Sequence, residues 1–240
     1  SAVSFGESRN VMYAKDIIAL LTMQAGNPIV ASTGTGYRSA FGDSLGFALK
    51  PAGEAVRYFT DFSNPVQPNY SWNKAQPNSR DAFISGTLAF YFGYASELFQ
   101  VRDRNPHLNF DVAPVPQTSN AKTVVTIGNI NGLATMRTSH DIASSFRAAT
   151  LLTAQDFAVK LAQKIYLPPP RRDILASKQS DAYMSVFFKS ALMSKGWFDP
   201  APNTTAVIFG SLVENVVSGR LRTSEAVMDA DGELSKLFGN

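Results

Sequence analysis

Apolar positions along this chain alternate between helical and strand-like spacing. The clearest helical stretch lies at 10–25, where Val11, Ala14, Ile17 and Leu21 recur every three or four residues. The same periodicity predicts further helices at 51–62, from 79 to Gly86, and at 95–102, 139–152, 155–164, 182–194, 205–217 and 223–238. Short apolar runs predict strands at 88–92, 110–114, 123–127 and 133–136. This alternation indicates an α/β sheet covered by helices.

The segments between these elements have the composition of loops. Residues 31–46 are rich in Gly, Ser and Thr and predict a loop or a short hairpin. Residues 63–80 hold three prolines and four asparagines and predict a long ordered or functional loop. The run Leu-Pro-Pro-Pro at 167–170 forces an extended path.

Composition narrows the classes of function. The 240 residues are 45% hydrophobic and 17% charged, which is ordinary for a globular protein. The 22 Lys and Arg exceed the 19 Asp and Glu only slightly and are scattered, which disfavours nucleic-acid binding. Cysteine is absent, which excludes disulfides and thiolate metal sites. The first residues, SAVSFGESRN, carry no signal-peptide pattern, and we expect a cut inside a longer protein or a processed end.

No motif of catalysis stands out. The glycine-rich segment at 33–36 lacks the Lys and following helix of a phosphate-binding loop. Neither HExxH nor Gly-x-Ser-x-Gly occurs. No metal or cofactor site is therefore predicted.

A different pattern concerns aromatic, amide and basic residues near predicted strand ends. In open α/β sheets ligands bind at such ends, and a sugar is recognised by flat rings together with amide donors and acceptors. Each residue also has a structural interpretation: the tryptophans as loop anchors, Asn131 in a left-handed turn, Arg171 paired with Asp173. The residues in this pattern are Trp72, Tyr94, Asn129, Asn131, Arg171 and Trp197.

Several motifs, in this order and spacing, resemble the extracellular solute-binding proteins of ABC-type sugar importers, the maltose-binding-like group. They are YSWN at 70–73, AFISGTLAF at 82–90 with YFGYAS at 91–96, LNFDVAPVPQ at 108–117, NGLA at 131–134, LPPPRR at 167–172 and SGR at 218–220.

This resemblance implies a type II periplasmic-binding-protein-like α/β fold, with two lobes around a solute cleft. It implies that the chain is mostly the second, C-terminal lobe, formed by residues 1–130 and 178–240. Residues 131–177 would be the returning segment of the first, N-terminal lobe, whose remaining part is missing. We therefore expect 131–177 to expose apolar surface or to pair with another molecule.

The resemblance also implies a function. The chain would capture a small polar solute, a carbohydrate, for the membrane permease of an ABC transporter, without catalysis. It would act outside the cytoplasm as a lipoprotein, anchored through the missing N-terminus. Carried over by position, the start of the first helix near Asn10 faces the solute, as does the strand end with Gly93, Tyr94 and Ser96. Asn129 and Asn131 match the crossover between lobes.

Two alternatives remain open at this stage. The first is a carbohydrate-active enzyme that uses a pair of cleft carboxylates, for which Glu97, Asp103 and Asp199 are the candidates. The second is an interaction domain, including one for nucleic acid, supported only by the mild basicity.

Overall fold

The computed structural model describes residues 1–46, 50–119, 121 and 123–239. The chain divides into two compact units. Unit 1 comprises Ser1–Leu108, Gln117–Ile127 and Trp197–Asn240, and unit 2 comprises Asn109–Pro116 and Gly128–Gly196. Neither unit is continuous in sequence.

Helices dominate the described residues. They are α1 (Ala14–Gln24), α2 (Pro51–Asp61), α3 (Ser79–Ile84), α4 (Leu98–Arg104), α5 (Ile142–Leu152), α6 (Gln155–Ile165), α7 (Arg172–Leu175), α8 (Ala182–Leu192), α9 (Pro202–Val217) and α10 (Thr223–Lys236). A 3₁₀ turn, Ala95–Glu97, precedes α4. The strands are short: β1 (Val30–Ser32), β2 (Tyr37–Ser39), β3 (Thr126–Ile127) and β4 (Ser194–Lys195).

Unit 1 is built around four helices, because α1, α2, α9 and α10 contact one another and bury one apolar face each. Ile18, Phe59, Phe209 and Leu234, one from each helix, are almost fully buried. Pro51 and Pro202 open α2 and α9, where a missing backbone N–H costs nothing. Next to these helices, β1 and β2 pair antiparallel with Ala31 opposite Arg38, so the first part of 31–46 is the short hairpin of the two predicted alternatives.

The first helix begins later than the apolar spacing predicts. Tyr13 precedes it in the left-handed region, with φ 59° and ψ 25°, so the helix cannot extend back to Asn10. The side chain of Asn10 instead donates to the backbone carbonyls of Asn73 and Gln76, each at 2.9 Å. The segment before α1 is thus held against the 63–80 loop by long-range bonds that local periodicity does not encode.

Unit 2 contains α5 to α8, and two of these helices have carboxylate caps. Asp141 Oδ1 accepts from the backbone N–H of Ser144 at 2.9 Å and so caps the start of α5. Asp181 caps α8 in the same way through Met184 at 2.8 Å. The core of the unit is small. Its buried apolar residues are Ala158, Ala162, Pro169, Leu175, Met184, Phe187 and Phe188.

Three predicted strands are wrong among the described residues. Residues 88–92 form one isolated parallel bridge, Val3 to Phe90, and Phe90 is exposed instead of buried. Residues 110–114 and 133–136 are assigned no strand. Short apolar runs become strands only when a distant partner pairs with them. Within the described residues, 88–92 meets only the first residues of the chain through one bridge, and 110–114 and 133–136 are in no strand.

The boundaries of unit 2 differ from the predicted returning segment at 131–177. Residues 128–130 and 178–196 belong to this unit as well, and 109–116 joins it from earlier in the chain. Whether the units correspond to the two lobes stays a prediction.

The expected exposure of apolar surface in 131–177 is confirmed. Leu133, Met136, Ile142, Phe146 and Leu151 are all more than half exposed. Among the described residues, no helix is both long and apolar enough to cross a bilayer.

Asn10→Ala should lower the free energy of unfolding by about 2–3 kcal/mol, because the buried indole N–H of Trp72 and two carbonyls lose their partner. Urea denaturation followed by circular dichroism measures this change. Asn203→Ala, at an exposed position of α9, is the control and should change stability by less than about 0.5 kcal/mol. Equal effects would contradict the anchoring role of Asn10.

Candidate functional site

The start of α1 brings together polar and aromatic side chains from three distant segments of unit 1. Lys15 and Asp16 lie in its first turn, and Tyr13 precedes it. Tyr94 approaches from the segment before α4, and Trp197 with Asp199 from the segment before α9. We call these six residues the α1 cluster. All six side chains are half-buried.

Tyr94 is fixed by two contacts with the first turn of α1. Its hydroxyl donates to Asp16 Oδ2 at 2.9 Å. Its ring meets the Tyr13 ring edge-on, with centroids 4.8 Å apart and planes at 88°. The orientation of the Tyr94 ring is therefore set before any ligand arrives.

Lys15 fixes the second part of the cluster. Its ammonium group donates to Asp199 Oδ2 at 2.8 Å and to the hydroxyl of Thr205 at 3.3 Å. The same nitrogen lies 5.8 Å from the centroid of the Trp197 ring, within the range of a cation–π contact. Consecutive residues of α1, Lys15 and Asp16, thus contact the two rings that the sequence singled out, Trp197 and Tyr94.

A buried carboxylate supports the cluster from below. Both oxygens of Glu97 accept from the hydroxyl of Tyr91, at 3.0 and 3.1 Å, and Oε2 also accepts from the backbone N–H of Tyr94 at 3.1 Å. Arg80 Nη1 lies 3.2 Å from Oε1, and Tyr13 is hydrogen-bonded to the same carboxylate. Glu97 is almost fully buried, so each of these partners compensates its lost hydration.

Gly93 and Ser96, both predicted as ligand contacts, lie in the segment that carries Tyr94. A Cβ atom on Gly93 would come within 2.6 Å of Glu97 Oε2 and 2.7 Å of the Tyr91 ring. Glycine is therefore required here by the approach of Glu97, whatever else the position does. Ser96 lies in the 3₁₀ turn and is exposed.

Trp72 does not have the exposed position expected of a stacking ring. Only 1% of its surface is accessible, and its indole N–H donates to Asn10 Oδ1 at 3.2 Å. The expectation of a ligand platform at Trp72 is wrong, because the ring packs in the core of unit 1. Asn10 is committed to the same anchor through its oxygen and nitrogen atoms.

The remaining three predicted residues belong to unit 2. Asn129 and Asn131 are exposed. Arg171 donates twice to the carboxylate of Asp173, at 3.2 and 2.8 Å, which is the structural alternative that the sequence offered. Their role in ligand binding stays a prediction.

Sequence reasoning missed Tyr13, Lys15 and Asp16 as members of the site. The helix predicted from Asn10 includes all three residues, and inside a helix they have no special role. The signal available was their composition, since a Tyr, a Lys and an Asp within four positions at a helix start offer donors, acceptors and a ring. The sequence predicts for Asp199 only a catalytic role, as one of the candidate carboxylates.

Burial and neighbouring charges alter proton affinities in the cluster. Desolvation raises the pKa of Tyr13 to about 12, with Glu97 adding to the shift. Desolvation also raises the pKa of the Asp16 carboxyl above 3.8, against the opposing hydrogen bond from Tyr94 and the charge of Lys15. The tyrosine therefore stays a neutral hydroxyl donor at physiological pH.

The cluster offers ring faces, hydroxyls, an ammonium group and carboxylates, which are the groups that bind a polar, hydroxyl-rich molecule. In the described part of the chain, no three His, Asp or Glu residues group in a way that could hold a metal ion. Of the carboxylates considered for glycoside hydrolysis, Glu97 is saturated by hydrogen bonds, Asp199 is paired with Lys15, and Asp103 is exposed.

The structure of the chain is similar to several solved structures. One is a solute-binding protein of an ABC transporter from Thermotoga lettingae, bound with alpha-D-tagatose. The match covers 98% of this chain and 59% of the Thermotoga chain, with a TM-score of 0.64 and 16% sequence identity. A second is the cyclic alpha-maltosyl-1,6-maltose binding protein of Arthrobacter globiformis. The match covers 99% of this chain and 59% of the Arthrobacter chain, with a TM-score of 0.70 and 13% sequence identity.

A third is the maltose-maltodextrin binding protein of Alicyclobacillus acidocaldarius. The match covers 97% of this chain and 61% of the Alicyclobacillus chain, with a TM-score of 0.67 and 12% sequence identity. The chain has the fold of a type II periplasmic binding protein. It spans about three fifths of the length of these structures. No protein-family model and no curated protein sequence matches it.

Gly93→Ala should destabilise unit 1 by about 1–3 kcal/mol, because the new methyl group displaces the Glu97 carboxylate from its partners. Gly36→Ala is the control. A Cβ at Gly36 would meet no atom nearer than 3.9 Å, so its stability should stay within about 0.5 kcal/mol of the parent. Urea titrations of both variants give the comparison, and equal midpoints would show that Glu97 is not held as described.

Asp16→Asn should make stability less dependent on pH. A carboxyl whose pKa is raised on folding binds its proton more tightly in the native state, so it destabilises the fold as pH rises above 3.8 through the raised value. Removing the charge should flatten the curve in this window and raise stability at neutral pH. Urea titrations from pH 3.5 to 7.5 measure it, and parallel curves for variant and parent would contradict the burial of Asp16.

Proposed function

We propose that the chain is the carbohydrate-binding part of a solute receptor of an ABC importer, and that the α1 cluster of unit 1 contacts the sugar. The observation that carries the proposal is the pairing of two half-exposed rings with two consecutive α1 residues: Tyr94 with Asp16, and Trp197 with Lys15. Rings held in this way offer flat apolar faces to a pyranose, while the charged groups lie within reach of its hydroxyls.

The fold supports the proposal from a second direction. The matched structures are described as binding tagatose, cyclic maltosyl-maltose or maltose and maltodextrins. A chain that shares their fold and carries rings and fixed polar groups at one place favours a neutral, hydroxyl-rich ligand. The immobilised rings reduce the entropy lost on binding, since their orientations are already set.

The proposal includes delivery of the sugar to a membrane permease and an extracytoplasmic location, with attachment as a lipoprotein through a segment outside residues 1–240. It assigns no catalytic step to the chain. The structural role of Glu97 supports this, because a general acid or base must exchange its proton with a substrate, whereas this carboxylate is fully engaged by Tyr91, Arg80 and the Tyr94 backbone. Asn129, Asn131 and Arg171 remain proposed ligand contacts of unit 2.

Trp197 provides a direct test, because only it and Trp72 fluoresce as tryptophan and Trp72 is buried. Adding tagatose, maltose or maltotetraose at millimolar concentration should change the emission of the chain in a saturable way. Tyr94→Ala should weaken the binding about tenfold or more, equivalent to about 1.4 kcal/mol, through loss of the ring face and the disturbed Asp16.

Tyr58→Ala is the matched control, since Tyr58 is an exposed tyrosine of α2 outside the cluster. It should bind as the parent does. Emission that changes equally in Trp197→Phe would place the ligand elsewhere. A chain whose emission and melting temperature respond to none of these sugars would count against the proposed function.

A further inference from the structure

The charged groups of the α1 cluster differ in how far the protein itself satisfies them. The cluster holds one cation, Lys15, and two anions, Asp16 and Asp199. All three side chains are half-buried, so each has lost part of its hydration and needs a partner to offset that loss. The group that lacks such a partner determines what a ligand has to supply.

Lys15 uses all of its donors inside the protein. Its ammonium group donates to Asp199 Oδ2 at 2.8 Å, to the carbonyl oxygen of Pro202 at 3.3 Å and to the hydroxyl of Thr205 at 3.3 Å. An ammonium group has three N–H donors, and these acceptors take all three. Lys15 therefore holds the site together and offers no hydrogen bond to a ligand.

Asp199 is satisfied in the same way. Its Oδ2 accepts from Lys15, and its Oδ1 accepts from the backbone N–H of Ala201 at 3.2 Å. The hydroxyl of Thr205, a fully buried residue, lies 3.0 Å from Oδ1 and 2.8 Å from Oδ2 and donates to this carboxylate. The pair of Lys15 and Asp199 is thus closed, both in charge and in hydrogen bonding.

Asp16 is only half satisfied. Its Oδ2 accepts from the hydroxyl of Tyr94 at 2.9 Å. Within the described residues its Oδ1 accepts no hydrogen bond, and it is not one of their buried unpaired oxygens, so it faces solvent. The neighbouring cation, Lys15, is paired with Asp199 instead. Desolvation raises the pKa of the Asp16 carboxyl, which indicates that its charge is poorly compensated.

The open oxygen of Asp16 is well placed for a sugar that stacks on Tyr94. The carboxylate lies at the hydroxyl end of the Tyr94 ring, where the hydroxyl groups at the edge of a stacked sugar would be. A carboxylate only accepts hydrogen bonds, and it binds a hydroxyl more strongly than a neutral acceptor does. It repels a second anion for the same reason. One cation against two anions leaves the cluster with one excess negative charge.

We propose that Asp16 determines the specificity of the α1 cluster. Its Oδ1 accepts a hydroxyl group of a neutral sugar, and its negative charge excludes sugars that carry a carboxylate, sulfate or phosphate group. This inference rests on the proposed function and adds to it the charge class of the ligand.

Two pairs of probes test the exclusion by isothermal titration calorimetry. The first is tagatose with tagatose 6-phosphate, and the second is maltotetraose with maltotetraose whose primary hydroxyls are oxidised to carboxylates. The members of a pair share a carbon skeleton and differ in charge. At low salt the parent chain should bind the charged member at least about tenfold more weakly than the neutral one, because Asp16 repels it.

Asp16→Asn keeps the shape of the side chain and an acceptor for Tyr94, but it removes the charge. It should bind the neutral member about three- to tenfold more weakly, because a charge-assisted hydrogen bond becomes an ordinary one. The charged member should then bind within about threefold of the neutral one. Asp229→Asn, at an exposed carboxylate of α10 outside the cluster, is the matched control and should keep the preference of the parent.

Salt gives a second measurement that a merely structural role of Asp16 would not affect. About 500 mM sodium chloride should narrow the preference of the parent by screening the repulsion, and it should leave Asp16→Asn unchanged. Equal affinity of the parent for both members of a pair, or a preference that persists in Asp16→Asn, would overturn the role of Asp16 while sugar binding stands. If none of the four probes binds to the parent, the proposed function and this inference are both wrong.

Discussion

The arrangement of unit 1 around α1 depends on one buried carboxylate, that of Glu97. A carboxylate out of contact with water is stable only when donors surround it, and here Tyr91, Arg80, Tyr13 and the backbone of Tyr94 all converge on it. This requirement ties the segment before α4 to α3 and to the residue before α1. It also explains why Gly93 carries no side chain, since a methyl group there would occupy the space of the carboxylate.

The candidate site is a consequence of this network. With Glu97 holding Tyr13 and the Tyr94 backbone, the Tyr94 hydroxyl is brought to Asp16. The preceding residue, Lys15, binds Asp199 and lies over the ring of Trp197. The Tyr94 ring is held through its hydroxyl and the Trp197 ring by the ammonium group over it, and both side chains remain partly exposed. In the proposed function this pre-ordered surface would lose little conformational entropy when a sugar binds.

The two units differ in how much of their apolar surface their own residues bury. In unit 1 four helices bury one another, and each contributes large apolar side chains to a common core. In unit 2 the helix α5 is capped by Asp141 yet buries none of its residues. A cap and good helical spacing are local properties, and they persist where tertiary contacts are missing. The result is a helix that is well specified by sequence and poorly supported by its surroundings.

The sequence by itself determined most helices, the cap of Asp141 and the proline that opens α2, because these depend on residues a few positions apart. It also indicated the family-like fold and singled out Tyr94 and Trp197. Only the tertiary structure decided that Trp72 is a core residue while Trp197 is half-exposed, that α1 begins after Tyr13, and that three apolar runs are not strands in the described chain. Those outcomes rest on partners tens of residues away, such as Asn10 for Trp72 and Asp199 for Lys15, and spacing along the chain carries no record of them.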